Sequence, residues 1–235
     1  MAPREARRMS GPLAVARDHG RAGSGIADTL RDEILRGIHP PGTRIRQEDL
    51  AARHTTSRIP VREALRILEA EGLVTLVANS GAWVSRLTLA ECEELYLVRE
   101  RIEPVLIGMS APLLSPADLD TLDDLAARME HADAEDFLRH DREFHFVTYA
   151  PARTVMLGDT VVGLWNRTHH YRRAFVTAAH ARHDGAAHLD HRLLVAALRR
   201  GDAEEAAHVL ERHIRRTRIE LERHPEIFGD ESGVR

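Results

Sequence analysis

Four side chains suited to binding a divalent metal ion lie in the C-terminal half of the chain. Asp141 and His145 are four residues apart, which places a carboxylate and an imidazole on one face of a predicted helix. His191 and His213 lie on two later predicted helices. One oxygen and three nitrogen ligands suit zinc, nickel or manganese and leave coordination positions open. Because the chain has 15 histidines, a surface position is an alternative for each of them.

A row of arginines in the N-terminal part suits contact with a phosphate-lined groove. Arg58, Arg62 and Arg66 recur at every fourth residue of a short amphipathic helix and therefore share one face. Guanidinium groups grip phosphates and can also pair with guanine edges in the major groove. The alternatives are a solvated Arg66 and an Arg62 that pairs with Glu63 or Asp49.

Short helices and a hairpin surround this arginine helix. The apolar periodicity predicts helices over residues 25–37 and 47–54, ahead of the arginine helix, which begins at Ser57 and stops at Gly72. The β-branched run 73–77, the turn residues that follow it and the run 82–85 predict a β-hairpin. Three small helices followed by a hairpin make a winged helix-turn-helix, whose third helix enters the major groove of DNA.

The remainder of the chain predicts six amphipathic helices joined by short connections. The first of them is expected to turn Leu95, Val98, Ile102 and Val105 inward. Such helices form an antiparallel bundle, which buries a core and can hold a pocket between its helices. The predicted fold class is therefore mainly α: an N-terminal winged helix-turn-helix plus a C-terminal all-α antiparallel six-helix bundle. We expect a disordered tail at 1–23, a winged domain at 24–86, a helical domain at 87–225 and a tail at 226–235.

Charge is divided unevenly between these two parts. Residues 1–80 contain 13 arginines and 10 acidic residues, whereas the remainder contains 20 arginines and 27 acidic residues. A basic part joined to an acidic part indicates two different tasks. The single cysteine, Cys92, excludes an internal disulfide and fits a reducing cytoplasm. No apolar run approaches the roughly 18 residues of a membrane-spanning helix, so no membrane partner is expected.

Residues 26–85 resemble the DNA-binding domain of the GntR family of bacterial transcription regulators. The resemblance rests on many spaced positions: Leu30-Arg31-xx-Ile34-xx-Gly37, Pro41-Gly42, Leu50-Ala51, Ser57-Arg58-x-Pro60-Val61-Arg62-Glu63-Ala64-Leu65, Glu69-Ala70-Glu71-Gly72-Leu73-Val74 and Gly81. The chain departs from the family at Thr55-Thr56, where a glycine and an aliphatic residue are usual. The resemblance implies DNA contacts from residues around the third helix and at the wing tip: Thr56, Ser57, Arg58, Arg62, Asn79, Ser80 and Gly81.

The C-terminal half is similar to the FCD effector-binding domain of the FadR-type branch of the same family. The matching residues are Leu95-Tyr96-x-Val98-Arg99-xxx-Glu103-Pro104, Asp141-xx-Phe144-His145, Asp190-His191-xx-Leu194-xx-Ala197-Leu198-xx-Gly201-Asp202-xxx-Ala206 and His213-Ile214. In many members an Asp and three His bind a divalent metal, which holds a small carboxylate effector together with a nearby arginine. The resemblance thus implies a metal ion, zinc first, on Asp141, His145, His191 and His213. It also implies Arg99 as the effector-carboxylate residue, with a salt bridge to Glu103 as the alternative.

The leading hypothesis is a cytoplasmic, homodimeric transcription regulator, a repressor, that binds a palindromic operator and responds to a small carboxylate. One rival is a metal-dependent hydrolase or lyase in the helical half. Against an enzyme, Glu143 lies off the ligand face, and no other carboxylate is placed as a general base. The other rival is a purely structural metal with unregulated DNA binding. The sequence leaves the effector, the metal and the operator open.

Overall fold

A computed structural model of the protein describes residues 7–8, 21–78, 81–182 and 186–229. The fold is mainly helical, with a small sheet in the N-terminal part, so the predicted fold class is confirmed. The chain divides into two compact units. The N-terminal unit comprises Val15–Thr88 and Val162–His170, and the helical unit comprises Met1–Ala14, Leu89–Val161 and Tyr171–Arg235. Among the described helices none is long and apolar enough to cross a membrane.

Both predicted tails lie largely outside the described residues. In the first, the two-residue strand β1 (Arg7–Arg8) pairs antiparallel with β5 (Arg153–Thr154), and the first helix begins at Arg21. In the second, Pro225–Phe228 forms a turn of 3₁₀-helix. Phe228 is buried there and stacks on Tyr171, with ring centroids 4.5 Å apart. The part of this segment that the structure describes therefore packs against the helical unit.

The N-terminal unit is a three-helix core closed by a small antiparallel sheet. Its elements are α1 (Arg21–Leu35), β2 (Arg44–Ile45), α2 (Gln47–Arg53), α3 (Arg58–Ala70), β3 (Val74–Val77) and β4 (Gly81–Val84). The strand order is β2-β4-β3. Leu30 and Ile34 of α1 pack with Leu65 and Leu68 of α3 in one buried cluster. Burying these side chains stabilises the unit by about 1.5–3 kcal/mol each.

Helix α3 begins and ends where its sequence requires. Ser57 occupies the N-cap position with an extended backbone, although its hydroxyl makes no capping hydrogen bond. Pro60 is tolerated because it lies in the first turn, where the missing N–H has no helical partner. Beyond Ala70 the chain reverses at Gly72, whose φ of +76° lies in the left-handed region that glycine adopts without strain. These signals set the two ends of a 13-residue helix, and its apolar face packs toward the core.

Six α-helices follow the winged part in the described residues, and all lie in the helical unit except for the Val162–His170 stretch of the fourth. They are α4 (Leu89–Ser110), α5 (Pro116–Met129), α6 (Ala134–Tyr149), α7 (Leu157–Arg182), α8 (Ala186–Arg199) and α9 (Ala203–Glu222). Acceptor side chains cap three of them, since Ser115, Asp133 and Asp202 each accept a backbone N–H from the first turn. Helix α4 packs along α9, and α5 packs against α6 and α8.

The predicted inner stripe of α4 is wrong. Val98 and Val105 are 45% and 51% exposed. The inward face instead carries Tyr96, Arg99 and Glu103, all of them buried. Apolar periodicity misassigned the face because the charged residues Arg99, Glu100 and Glu103 share the buried face with apolar residues such as Leu106 and Ile107. The buried face of α4 thereby borders the cluster of Asp and His side chains described next.

Candidate functional site

The helical unit brings together the four side chains that were predicted to bind a metal. Helix α6 carries Asp141 and His145 on one face, while α8 supplies His191 and α9 supplies His213. One ligand atom from each residue lies within 4.8 Å of those of the other three, and all four residues are buried. His191 Nε2 is 3.2 Å from Asp141 Oδ1, and His145 Nε2 is 3.7 Å from the same oxygen.

Unsatisfied polar atoms make this cluster fit a divalent cation. Asp141 Oδ1 and both ring nitrogens of His191 are buried, and apart from the 3.2 Å approach of His191 Nε2 to Asp141 Oδ1 they have no hydrogen-bond partner within the described ranges. A buried polar atom without a partner costs about 1–3 kcal/mol. Three such atoms in one place are expensive unless a bound group satisfies them. A set of one carboxylate and three imidazoles is also the donor chemistry that zinc accepts.

Electrostatics keep three of these groups, Asp141, His145 and His213, in the protonation states that a metal requires. Burial alone would raise the pKa of Asp141, but Arg172, His145 and His191 outweigh it and hold the pKa well below its usual value. Burial also lowers the pKa of His145 and of His213, despite the nearby Asp141 carboxylate. The carboxylate is therefore ionised and these two imidazoles are neutral, with a lone pair available.

In two of the histidines, Nδ1 faces a hydrogen-bond acceptor outside the cluster. His145 Nδ1 is 3.4 Å from the hydroxyl of Tyr149, which donates to Glu103 Oε2 at 2.6 Å. His213 Nδ1 is 3.4 Å from Asp190 Oδ2, and Arg216 in turn donates to Asp190. Such outer contacts fix the ring orientation and tautomer of metal-binding histidines. In both rings Nδ1 is engaged, so Nε2 is the nitrogen left for a ligand.

Asp141 also has an outer partner, which sequence reasoning missed. The guanidinium of Arg172, on α7, donates to Asp141 Oδ2, the oxygen that does not approach His191. Arg172 follows Asp141 by 31 residues on a different helix, so no spacing in the sequence joins them. Glu103 was missed for the same reason, whereas Tyr149 follows His145 by four residues on α6, a spacing that could have indicated the contact. Asp190 was part of the family resemblance, directly before His191, but its contact with His213 was not predicted.

Arg99, predicted to bind an effector carboxylate, lies buried on the inward face of α4. Its Nε donates to Glu103, one turn along the same helix, and its guanidinium carbon is 4.9 Å from the centre of the Tyr96 ring. The alternative salt bridge to Glu103 is therefore present. Through Glu103 and Tyr149, Arg99 joins a chain of hydrogen bonds that reaches His145. The role of Arg99 toward an effector stays a prediction.

The predicted DNA-binding residues of α3 lie on the surface of the N-terminal unit. Ser57, Arg58 and Arg62 are exposed, and Thr56 is half-buried. Arg58 pairs with Glu48 at 3.1 Å, an acid that the sequence did not single out. An exposed pair of this kind contributes at most about 1 kcal/mol, so a phosphate can displace Glu48. The first N–H groups of a helix have no partner inside that helix, so the start of α3 favours an anion.

The turn before α3 and the wing contain the remaining predicted contacts. Thr55 has a φ of +50°, which is unusual for a β-branched residue and explains why a glycine is natural there. Gly81 opens β4 with a φ of +124°, while Asn79 and Ser80 lie outside the described residues. Arg44 of β2, which was not predicted, places its guanidinium 5.6 Å from the centre of the Trp83 ring. It adds a cation beside the wing.

Two family models match the chain. The model described as "Bacterial regulatory proteins, gntR family" matches residues 22–84. The model described as "FCD domain" matches residues 94–216, which is more than half of the chain. The two matches fall on the winged unit and on the helices that carry the Asp and His cluster.

Curated relatives are named as transcription regulators. An uncharacterised regulator from Streptomyces ambofaciens is 29% identical over 87% of this chain and 89% of its own length. McbR of Escherichia coli is 25% identical over 79% of this chain and 86% of its own length. The gluconate operon repressor of Bacillus licheniformis is 36% identical over 53% of this chain and 54% of its own length. The match to YdhC of Bacillus subtilis likewise spans about half of that relative, 54% of its length.

Solved structures share the fold. Escherichia coli McbR/YncC has a TM-score of 0.73 at 23% identity, covering 88% of this chain and 99% of that chain. A regulator from Rhodococcus sp. RHA1 has a TM-score of 0.70 at 23% identity, covering 85% of this chain and 96% of that chain. At this identity the likeness concerns the fold alone.

Proposed function

The chain belongs to the GntR family of bacterial transcription regulators and carries an FCD domain, and from that premise we propose that it is a metal-dependent sensor of a small carboxylate. Its curated relatives are regulators rather than enzymes, which sets aside the hydrolase or lyase alternative. In this proposal the protein acts in the cytoplasm as a repressor. It binds a palindromic operator as a homodimer, and the effector changes its affinity for that operator.

The observation that carries the sensing role is the buried cluster of Asp141, His145, His191 and His213. Its unsatisfied atoms and neutral imidazoles support a resident divalent ion, zinc before nickel or manganese. The ion would supply an open coordination position for a carboxylate oxygen. Arg99 is the cation that we assign to the same effector, since it lies on the α4 face that borders the cluster. Binding an effector there requires Arg99 to share its guanidinium with Glu103.

The DNA-binding role is assigned to the exposed start of α3 and to the wing. Arg58 and Arg62 would contact phosphate or guanine, while Thr56 and Ser57 would meet phosphate at the helix N-terminus. The wing residues Asn79, Ser80 and Gly81 would lie along the backbone or the minor groove. Support comes from the exposure of the two arginines, because a residue without a packing role is free to meet a ligand.

The homodimer is supported by the outward face of α4. Val98, Val105 and Met109 are exposed at spacings of seven and four residues, with the half-buried Ile102 between them. This is the apolar spacing with which one helix packs against another. We assign the face to a second copy of the chain. A two-fold dimer would present two copies of α3 to two half-sites, which is the symmetry of a palindromic operator.

A mobility-shift and denaturation experiment tests the proposal. The purified protein should retard DNA from upstream of its own gene, and Zn²⁺ should raise its free energy of unfolding. At a free Zn²⁺ concentration about 100 times the dissociation constant, the free energy of unfolding should rise by roughly 2.7 kcal/mol. The variants His191→Ala and His213→Ala should fold but lose both the gain and any carboxylate response. Failure to retard the DNA contradicts the regulator role, and collapse of both variants favours a structural metal.

A further inference from the structure

Helix α7 takes part in both compact units. Residues Val162–His170 belong to the N-terminal unit, whereas the helix from Tyr171 onward belongs to the helical unit. The helix runs without a break from Leu157 to Arg182. Its backbone hydrogen bonds are therefore continuous across the point where the two sets of contacts meet.

Within the N-terminal unit, α7 bonds the ends of two helices. Asn166 Nδ2 donates to the carbonyl of Glu71, the C-cap residue of α3, at 2.9 Å. His169 Nε2 lies 2.8 Å from the carbonyl of Leu35, the last residue of α1. Because a carbonyl can only accept, Nε2 carries the proton. The last carbonyls of a helix have no partner inside that helix, so these two side chains complete α1 and α3.

Glu71 and Gly72 contact both α1 and α7. The side chain of Glu71 accepts two hydrogen bonds of 2.7 Å from Arg31 of α1. A Cβ added to Gly72 would lie 2.8 Å from Arg167 Nε and 3.2 Å from the carbonyl oxygen of Gly163. The backbone of Gly72, just after α3, therefore lies close against α7, where a side chain would not fit. Asn166 and His169 are both buried as well, which makes loss of either hydrogen bond costly.

Within the helical unit, the same helix reaches the Asp and His cluster. Arg172 follows His169 by three residues, less than one turn, and donates to Asp141 Oδ2. An Asp141 carboxylate that shares its charge with a bound cation attracts this guanidinium less strongly. An ion bound in the cluster would thus weaken the ion pair between Asp141 and Arg172, and Arg172 belongs to α7.

We propose that Asn166 and His169 are positioning residues that couple the Asp141 cluster to the recognition helix α3. The inference rests on the proposed function, because it presumes that the cluster holds an ion. It assigns the coupling to two side chains that touch neither DNA nor the cluster. Removing their hydrogen bonds should leave both binding sites intact and disconnect one from the other.

The test measures the affinity of the full-length protein for its upstream DNA with Zn²⁺ and with a chelator. In the unmodified protein the two affinities should differ by a factor within about 5- to 150-fold. In Asn166→Ala and His169→Ala that factor should approach one, while Zn²⁺ affinity changes by less than about threefold. His169→Gln, which keeps an N–H donor, should restore part of the factor. Thr177→Ala is the matched control, since it removes an exposed side-chain hydrogen bond to the backbone of α7 itself.

The outcomes separate this inference from the proposed function. If the unmodified protein binds DNA equally with Zn²⁺ and with chelator, the sensing role fails and the inference fails with it. If the unmodified protein responds and both variants respond to the same extent, the inference alone is overturned. If the variants lose the same amount of DNA affinity with Zn²⁺ and with chelator, so that the ratio of the two affinities is unchanged, Asn166 and His169 have a structural role. That result also overturns the inference.

Discussion

The start of α3 and the Asp and His cluster are both sets of charged residues, yet they differ in environment. Arg58 is exposed, and its pair with Glu48 is open to water and salt. Asp141 is fully buried and held by Arg172 and by the neighbouring imidazoles. An exposed charge needs no partner in the protein, whereas a buried charge must be paired or the fold is destabilised. The first set should therefore affect binding without affecting stability, and the second should affect both.

The largest expected effect is on the buried side of this comparison. Arg172→Ala should lower the free energy of unfolding of the metal-free protein by about 3–5 kcal/mol, because it leaves the Asp141 carboxylate buried without its guanidinium. Urea denaturation measures this change. Arg173→Ala is the control, since the neighbouring Arg173 pairs with Glu135 nearer the surface and should cost at most about 1 kcal/mol. Equal costs for the two variants would remove the contrast between the sites.

On the exposed side, Arg62→Ala should weaken DNA binding by about 1–3 kcal/mol, as expected when one base or phosphate contact is lost. Its free energy of unfolding should stay within about 0.5 kcal/mol of the unmodified protein, because the side chain lies outside the core. Fluorescence anisotropy at several salt concentrations separates the two kinds of contact. Loss of a phosphate contact should reduce the slope of log affinity against log salt concentration by about one, whereas loss of a base contact should change sequence preference. The control is Arg128→Ala, an exposed arginine of α5 that lies outside the winged unit.

The outer partners of the cluster sharpen the comparison further. Asp190→Asn should reduce Zn²⁺ affinity by about 10- to 100-fold, because the amide no longer attracts the Nδ1 proton of His213 as the carboxylate does. Competition with a chelating dye measures the affinity. Asp123→Asn, which changes an exposed acid paired with Arg199, should leave it unchanged. An unchanged affinity in Asp190→Asn would mean that His213 needs no outer partner.

The smallest expected effect is in the turn before α3. Thr55→Gly should raise the free energy of unfolding by about 0.5–1 kcal/mol, because the left-handed conformation is strained for threonine. Part of the gain is offset by the greater freedom of glycine in the unfolded chain. Thermal denaturation measures the shift, and Thr177→Gly in the interior of α7 should lower stability instead. A destabilised Thr55→Gly variant would show that the threonine side chain makes a compensating contact.

Most of the fold could be predicted because local signals agree with the final structure. Caps, turn residues and apolar periodicity located the helices of both parts, and the four clustered residues were identified before their geometry was known. The exception was α4, where Val98 and Val105 face outward. Apolar spacing assumes that the buried face is purely apolar, and that assumption fails for a helix that also buries Arg99 and Glu103.

By itself, the sequence determined the two kinds of chemistry: a surface of arginines on a short helix, and one carboxylate with three imidazoles on three helices. The arginine row and the Asp141–His145 pair follow from spacing within single helices, whereas His191 and His213 were joined to that pair by the resemblance to the FCD domain. Only the tertiary structure decided which groups complete them. Arg172 reaches Asp141, and Asn166 reaches Glu71, across 31 and 95 residues respectively. Such contacts follow from how helices pack, and no local periodicity records them.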